Sequence, residues 1–593
     1  MKKILLLLLH VLPSLLWAQQ RYNLDMEKMD AHTGLPVAWT DIDVRKERGD
    51  VASIDSTTVY SGRYSLLLKR DSSDAKTAIA LSYGVPTEYK GKKVKLRGYV
   101  RTENITDGWA GLWLRLDGTS EFDNMYRRGI KGTTPWTLYE IELKLDKAAA
   151  QITLGGLLTG NGKMWMDSLA LWIDGKDVQL IPLEEVTAKT DELKWLKDHA
   201  MPLKTVDAGH GSEDLQGLKP LIGDAGIVAL GECTHGTSEV FRMKHRLLEF
   251  LVTEMGFRVF AIEANLPEAK HMNEYVLYGK GTAEAALEAM YFWTWNTREV
   301  LEMVKWMRAY NIAHPDKMVQ FTGFDMQFHR GACDNLRQFA DRYDTTLKPL
   351  VDTVVFYCEK FKGRYSYTAP LNREERASVQ VPLDLIAQAF EKKRAHYQQL
   401  MGDSTLAWYT RNVTVLQQYL IAVSTHRGNI EHRDKSMAEN VKWLTEQNPG
   451  QKLVLWAHSG HVKRSGRSMG GHLDKTFKKD MVVIAFGAAK GQYVAVKRGE
   501  GVRGDNLLVP PVPHAFESYA QASGIGDFIL DVRREQLRDD RASWLLDKVR
   551  LRCIGSLALD GNAQFEYGVL PDQYDAVIYL ENTTPSKLLP GKQ

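Results

Sequence analysis

Residues 226–264 read GIVALGECTHGTSEVFRMKHRLLEFLVTEMGFRVFAIEA. The apolar run Gly226 to Leu230 stops at Gly231-Glu232, Glu239 to Met255 carries apolar residues at helical spacing, and the run Val259 to Ile262 stops at Glu263. Short runs rich in Val and Ile, apolar on both faces and separated by amphipathic helices, are the mark of buried parallel strands. The same rhythm continues in Val319 to Phe324, Leu453 to Trp456, Val482 to Phe486 and Ala576 to Leu580, with Thr297 to Asn311 as a further helix. The expected fold is α/β with a mostly parallel sheet. Between about residues 335 and 447 the pattern turns helical, which predicts a helical insertion able to cover the site.

Upstream, from about Leu24 to Asp174, the rhythm is different. Short alternating runs are separated by Gly, Asp and Asn, as in antiparallel sheets. Lys93-Val94-Lys95-Leu96-Arg97 alternates; Ala110, Leu112, Leu114 and Leu116 share one face of the next run, and Trp109, Trp113 and Arg115 the other. An antiparallel β-sandwich of jelly-roll type is expected over 19–175, joined through a polar linker at Gly175 to Val186 to the α/β region at 176–593. Trp109, Trp113, Trp136 and Trp165 admit two readings, as ring platforms for a sugar or as core packing. In general pattern the region resembles carbohydrate-binding modules of secreted bacterial enzymes, which implies carbohydrate as a partner but assigns no ligand residue.

A chain of 593 residues is too long for one core, so two domains agree with its size. Hydrophobic residues at 44% and charged residues at 25% are ordinary for a globular protein. A net charge of +3 and short basic runs such as Glu391-Lys392-Lys393-Arg394, read as a solvated helix face, supply no nucleic-acid footprint. Lys2 and Lys3 precede an apolar run, Ile4 to Trp17, and the small residue Ala18. This is the pattern of a signal peptide over 1–18, cleaved after Ala18, and the run is shorter than the ~20 residues of a membrane-spanning helix. With no cysteine nearby to carry a lipid, an exported protein, periplasmic or secreted, without a stable membrane anchor is expected. Four cysteines, Cys233, Cys333, Cys358 and Cys553, match no zinc spacing and make no disulfide scaffold; a single bridge, Cys333 to Cys358 or another pairing, stays open.

In open α/β sheets ligands bind beyond the carboxyl ends of the strands. Four runs end there in side chains suited to catalysis: Glu232, His235 and Glu239 after the first, Glu263 after the second, Asp325 after the third, His458 and His461 after the fourth. Any one acidic residue at a strand end has an ordinary explanation as a cap. Four such ends on one edge point to a site. If a helix begins near Thr234, Glu239 shares a face with His235. A carboxylate beside an imidazole fixes its tautomer and stabilises its protonated form, which suits His235 to general base catalysis.

These residues resemble the erythromycin esterase family. The segment GECTHGTSEVFRMKHRLLEFLVTEMGFRVFAIEA at 231–264 is similar to the family's opening motif. YFWTWNTREVLEMVKWMRAYN, FTGFDMQ, RDKSMAENVKWL, WAHSGHV and SMGGHL extend the likeness from about Lys194 to the C-terminus. The resemblance implies hydrolysis of a carboxylic ester or macrolide lactone, with His235 as general base, Glu232 and Glu263 orienting it or the water, and His458 and His461 lining the pocket or steadying the oxyanion. Glu239, Asp325, Arg433 and Asn440 are candidate substrate-binding residues, as is Lys244, which stands where some relatives have Arg and so lacks a bidentate fork.

Four other readings compete. His235, His458 and His461 are residue types that hold a metal, although no HExxH occurs, and the resemblance favours chemistry without metal or cofactor. Gly466-Arg467-Ser468-Met469-Gly470 satisfies G-x-S-x-G but follows a polar stretch rather than a strand. Cys233 lies inside the key motif, where a small buried residue behind a strand end is the simpler role. A secreted glycan-binding protein without activity would have no need of the His/Glu cluster.

Overall fold

The computed structural model describes residues 22–590 apart from 30–33, 43, 45–48, 72–77, 87–88, 90, 118, 146–148, 150, 182–187, 363–369, 425–428 and 498. The signal-peptide expectation at 1–18 lies outside the described residues, as does part of the linker. Two compact units divide the chain, Met1–Glu184 and Glu185–Gln593. Among the described residues, no helix is long and apolar enough to cross a membrane.

The N-terminal unit is built on antiparallel strands. Its two longest, Lys93–Asp117 and Gln151–Ile173, pair from Val94↔Ile173 to Asp117↔Gln151, with register shifts between Glu103 and Trp109. Leu112, Leu114 and Leu116 turn inward with Ile152, Leu154 and Leu158, as the alternation requires. Two tryptophans correct the sugar-platform reading. Trp113 and Trp165 are buried, and their Nε1 groups donate to Leu81 O at 3.2 Å and Asp55 Oδ2 at 2.7 Å. An indole whose N–H is satisfied inside the protein is packing, not a ligand surface. Trp109 is half-buried with its edge toward Tyr126, whereas half-exposed Trp136 stands beside Tyr60, which stacks on Tyr99 with centroids 3.6 Å apart.

In the second unit the main sheet runs in the order Met201–Pro202, Phe528–Asp531, Ala576–Thr583, Met481–Lys497, Ile227–Leu230, Lys452–Trp456, Phe257–Asn265, Gln320–Asp325. The six strands from Ala576–Thr583 to Gln320–Asp325 pair in parallel; Phe528–Asp531 and Met201–Pro202 join antiparallel. Both faces are covered. Val228 and Leu230 enter one core and Ile227 and Ala229 another, which is why these strands read as unbroken apolar runs. The helix Ser238–Met255 lays Phe241, Leu247, Leu248 and Leu251 on the first core and ends at Gly256, whose φ of 76° suits a residue without Cβ.

Helices Arg330–Arg342, Lys348–Lys360, Arg373–Lys392, Arg394–Met401, Asp403–Val423 and Asn429–Gln447 fill the helical region. The first five hold a core of their own that includes Leu336, Phe339, Ile386 and Leu416. Cys333 and Cys358 touch inside that core as free thiols, and Cys233 and Cys553 are also free and buried, so the open disulfide expectation is not realised.

Candidate active site

The turn from Gly231 to Thr237 places the first candidate groups, Glu232 and His235. Thr234 Oγ1 takes the Gly236 N–H at 3.1 Å and lies 3.1 Å from Thr237 Oγ1. A Cβ on Gly236 would come within 2.1 Å of Val494 O, so only glycine lets the turn press against the neighbouring strand. The helix begins only at Ser238, leaving His235 in the turn itself.

Glu232 is fully buried, and its carboxylate accepts from His235 Nδ1 at 2.6 Å, Trp456 Nε1 at 2.6 Å and Lys244 Nζ at 2.9 Å. Burial opposes its charge, but Lys244 and His235 outweigh that and hold its pKa below the usual carboxylate range. An ionised carboxylate only accepts, so the His235 proton sits on Nδ1 and the Nε2 lone pair is left free. Among the described residues Nε2 has no hydrogen-bond partner, and the side chain is 10% exposed.

Glu263 makes the second half of the site. Its Oε2 accepts the His458 backbone N–H at 2.9 Å, and its Oε1 meets Arg433 at 2.6 Å and His461 Nε2 at 3.4 Å. Burial would raise its pKa, yet His461 and Arg433 keep it well below the carboxylate range. Arg433 also grips Asp325 through Nε and NH2, at 3.1 and 2.7 Å, and its NH1 stands 3.1 Å from His461 Nε2. His461 Nδ1 is 2.9 Å from Asp434 Oδ1. Burial works against a proton on His461, but Glu263 and Asp434 outweigh it and raise the pKa.

His458 behaves oppositely. Burial, with His235 and His461 alongside, pushes its pKa down to about 3. Its Nδ1 accepts from Gly460 N at 3.2 Å, so the neutral ring carries its proton on Nε2, 3.8 Å from Cys553 Sγ. The His235 and His458 rings are 5.0 Å apart between centroids, and the Trp295 ring stands at 89° to the His235 ring with centroids 5.9 Å apart.

His235, Glu232, Glu263, His458 and His461 therefore come together, with Arg433 between Glu263, Asp325 and His461. Several candidate substrate contacts lie elsewhere. Glu239 does not face His235; its oxygens hold Thr584 N at 2.6 Å and Thr584 Oγ1 at 2.8 Å. Lys244, with no exposed side-chain surface, sits behind Glu232 and 4.5 Å from the Trp456 ring centroid, and burial pulls its pKa down to about 8. It neutralises Glu232 rather than reaching substrate. Asp325 is fully buried and anchors Arg433, while Gln327 Nε2 donates to it at 2.7 Å. Asn440 is also fully buried, donating to Phe324 O at 2.8 Å and accepting from Arg411.

The rival nucleophiles are otherwise engaged. Ser468 caps the helix Met469–Phe477, accepting from Gly471 N and donating to Lys463 O and Ser465 O. Burial drives the Cys233 thiol up to about 12, far from a thiolate. Asp434, Trp456 and Trp295 are site residues that strand-end reading did not single out. Asp434 follows Arg433 directly, and Trp456 closes an apolar run, so neighbours of the motif residues were the available signal.

A family model described as erythromycin esterase matches residues 252–583. The chain belongs to the erythromycin esterase family. The match begins downstream of Glu232 and His235, but longer alignments extend the likeness. The erythromycin esterase type II of Escherichia coli is 25% identical over 415 residues, covering 63% of this chain and 97% of that protein. The protein YbfO of Bacillus subtilis (strain 168) is 24% identical over 433 residues, 67% of this chain and 92% of its own length. A crystal structure of a Bacillus cereus protein superposes with a TM-score of 0.61 at 26% identity over 67% of this chain and 98% of that one.

Proposed function

We propose that this family member is an exported hydrolase that cleaves a carboxylic ester or lactone with His235 as general base. The observation that carries the reading is Glu232, which collects three buried donors and leaves His235 with a proton on Nδ1 and a bare Nε2. In the proposed reaction a water gives its proton to His235 Nε2 as its oxygen bonds to the ester carbonyl carbon. The tetrahedral adduct then collapses, the carbon–oxygen bond of the leaving group breaks, and His235 returns the proton to the departing alkoxide. Glu232 stabilises the imidazolium between these steps. Arg433 and the neutral Nε2–H of His458 are the groups proposed to meet negative charge on the carbonyl oxygen.

The arrangement favours this over a metal held by His235, His458 and His461, because His461 Nε2 already stands 3.1 Å from Arg433 NH1 and His458 Nδ1 already accepts from Gly460 N. Among the described residues, no group of three or more His, Cys, Asp or Glu side chains is arranged to hold a metal. A macrolide lactone is the substrate that the relatives' names suggest; an acylated glycan is the alternative we carry. The latter is favoured by Trp136, Tyr60 and Tyr99, which we read as a sugar-binding face of a jelly-roll-like N-terminal module.

The test is His235→Ala, assayed on macrolides and acylated sugars. Turnover should fall by at least ~100-fold with the fold intact, the range for a lost general base. Near-normal turnover in a folded variant would remove His235 from the mechanism.

A further inference from the structure

A groove of about 550 Å³ opens beside the last strand of the main sheet, away from the catalytic cluster. It touches that strand at Gln320, Phe321 and Thr322, whereas the site begins at Asp325, about 10 Å further along at the rise of an extended chain. Trp408 and Trp443 supply its aromatic surface. The Arg411 guanidinium lies 5.4 Å from the Trp443 ring centroid and steadies that indole.

The polar groups are set in place before any ligand arrives. Asn273 uses Oδ1 to accept the Phe321 N–H at 3.0 Å, which leaves its Nδ2 as a donor. Gln320 uses Nε2 on Asn448 Oδ1 at 3.0 Å, which leaves its Oε1 as an acceptor. A donor on the helix Lys270–Tyr278 and an acceptor on the edge strand, both lining the groove, suit the hydroxyls of a sugar.

The charge is as specific as the shape. No Asp or Glu lines the groove, and its one charged residue is Lys270, whose Nζ is 5.8 Å from the Trp408 ring centroid and has no carboxylate partner among the described residues. A ligand with one negative charge, hydroxyl groups and a ring face able to lie on an indole satisfies all three features. We propose that this groove binds a saccharide carrying a single carboxylate, a uronic acid unit, at a site separate from the catalytic centre. Such a site would hold an acidic glycan on the enzyme independently of whether His235 acts on it.

The test uses the full chain and two probes that cannot be hydrolysed as esters, methyl β-D-glucuronide and methyl β-D-glucoside, titrated by calorimetry or ligand-observed NMR at low salt. The glucuronide should bind saturably and the glucoside at least ~10-fold more weakly, as expected for losing one charge-assisted hydrogen bond. Lys270→Gln should erase that difference. Trp408→Ala should remove binding of both sugars while leaving ester turnover unchanged; Trp408→Phe, which keeps an aromatic wall, serves if the alanine variant does not fold, and should weaken both. The proposal is overturned by no saturation below about 10 mM, by glucuronide binding that ignores both substitutions and so resides in the N-terminal unit, or by binding of benzoate in preference to the glucuronide. Failure of ester hydrolysis would leave these titrations unaffected, so the two conclusions fall separately.

Discussion

Replacing Glu232 with Gln keeps the side-chain size and removes the one negative charge between Lys244 and His235. The carboxylate accepts from His235 Nδ1 at 2.6 Å, so the charge centres of carboxylate and imidazolium lie about 4 Å apart, worth roughly 4 kcal/mol at an effective dielectric of about 20. That attraction appears only when His235 takes the proton from water, so its loss should lower kcat by about 10³-fold with little change in KM. The amide can also donate to Nδ1, shifting the histidine proton to Nε2 and removing the base outright. A second effect must be separated from this one. Lys244 would lose its counter-charge in a fully buried position, a change that costs about 3–5 kcal/mol of stability when one partner of a buried pair is removed. The double variant Glu232→Gln/Lys244→Met removes both charges and should recover most of that stability without recovering activity. Urea unfolding followed by tryptophan fluorescence, together with initial rates on the best ester of the panel, measures both quantities. A folded Glu232→Gln protein retaining more than roughly a tenth of normal turnover, far above the ~10³-fold loss, would refute the argument. Recovery of the rate in the double variant would do the same.

Arg433→Lys keeps the charge but loses the fork that holds Asp325 and Glu263 together, so it should destabilise the protein by about 3 kcal/mol and cut kcat at least ~10-fold; wild-type urea midpoints and rates would show that the fork is dispensable. Because Arg433 fills the acidic cluster, activity should survive prolonged dialysis against EDTA or phenanthroline, and a loss reversed by one equivalent of metal would decide for the metal hydrolase. His245 gives a stability signal in acid. Burial lowers its pKa to about 4 from an ordinary value near 6.5, so the unfolded chain binds a proton that the folded chain refuses. The stability that comes from keeping this ring neutral is complete above about pH 6.5 and is lost as pH falls toward 4, about 3 kcal/mol in all. His245→Leu should flatten the pH dependence of the urea midpoint over that window, and an unchanged slope would contradict it.

How far the site could be read from sequence depended on which element carries each group. Glu232, His458 and His461 follow strands, and Glu263 lies near the end of one, whose alternate residues enter two different cores, as Ile227 and Val228 do, so apolar runs alone locate them on one edge. Groups brought by helices were harder to place. Helical spacing put Glu239 beside His235 on the premise of a helix from Thr234, but the helix starts at Ser238, so the two residues belong to different elements and Glu239 turns to Thr584. Lys244 and Asn440 look like substrate ligands by charge and polarity, yet each lies on the buried side of its helix, where its partner is another protein group. Asp434 has the opposite history: it is acidic, adjacent to Arg433, and acquires its role only because the helix Asn429–Gln447 brings it within 2.9 Å of His461. The tryptophans show the same limit in the N-terminal unit, where alternation sorts residues onto two faces without showing which face is covered, and Trp113 and Trp165 lie buried while Trp136 does not. Topology constrains where a strand ends, whereas the direction a helix presents follows from packing against segments distant in sequence. The proposed general base and its carboxylate are therefore readable in one motif. Arg433 is a candidate from its own motif, but its place between Glu263, Asp325 and His461, and the part of Asp434 beside it, require the fold.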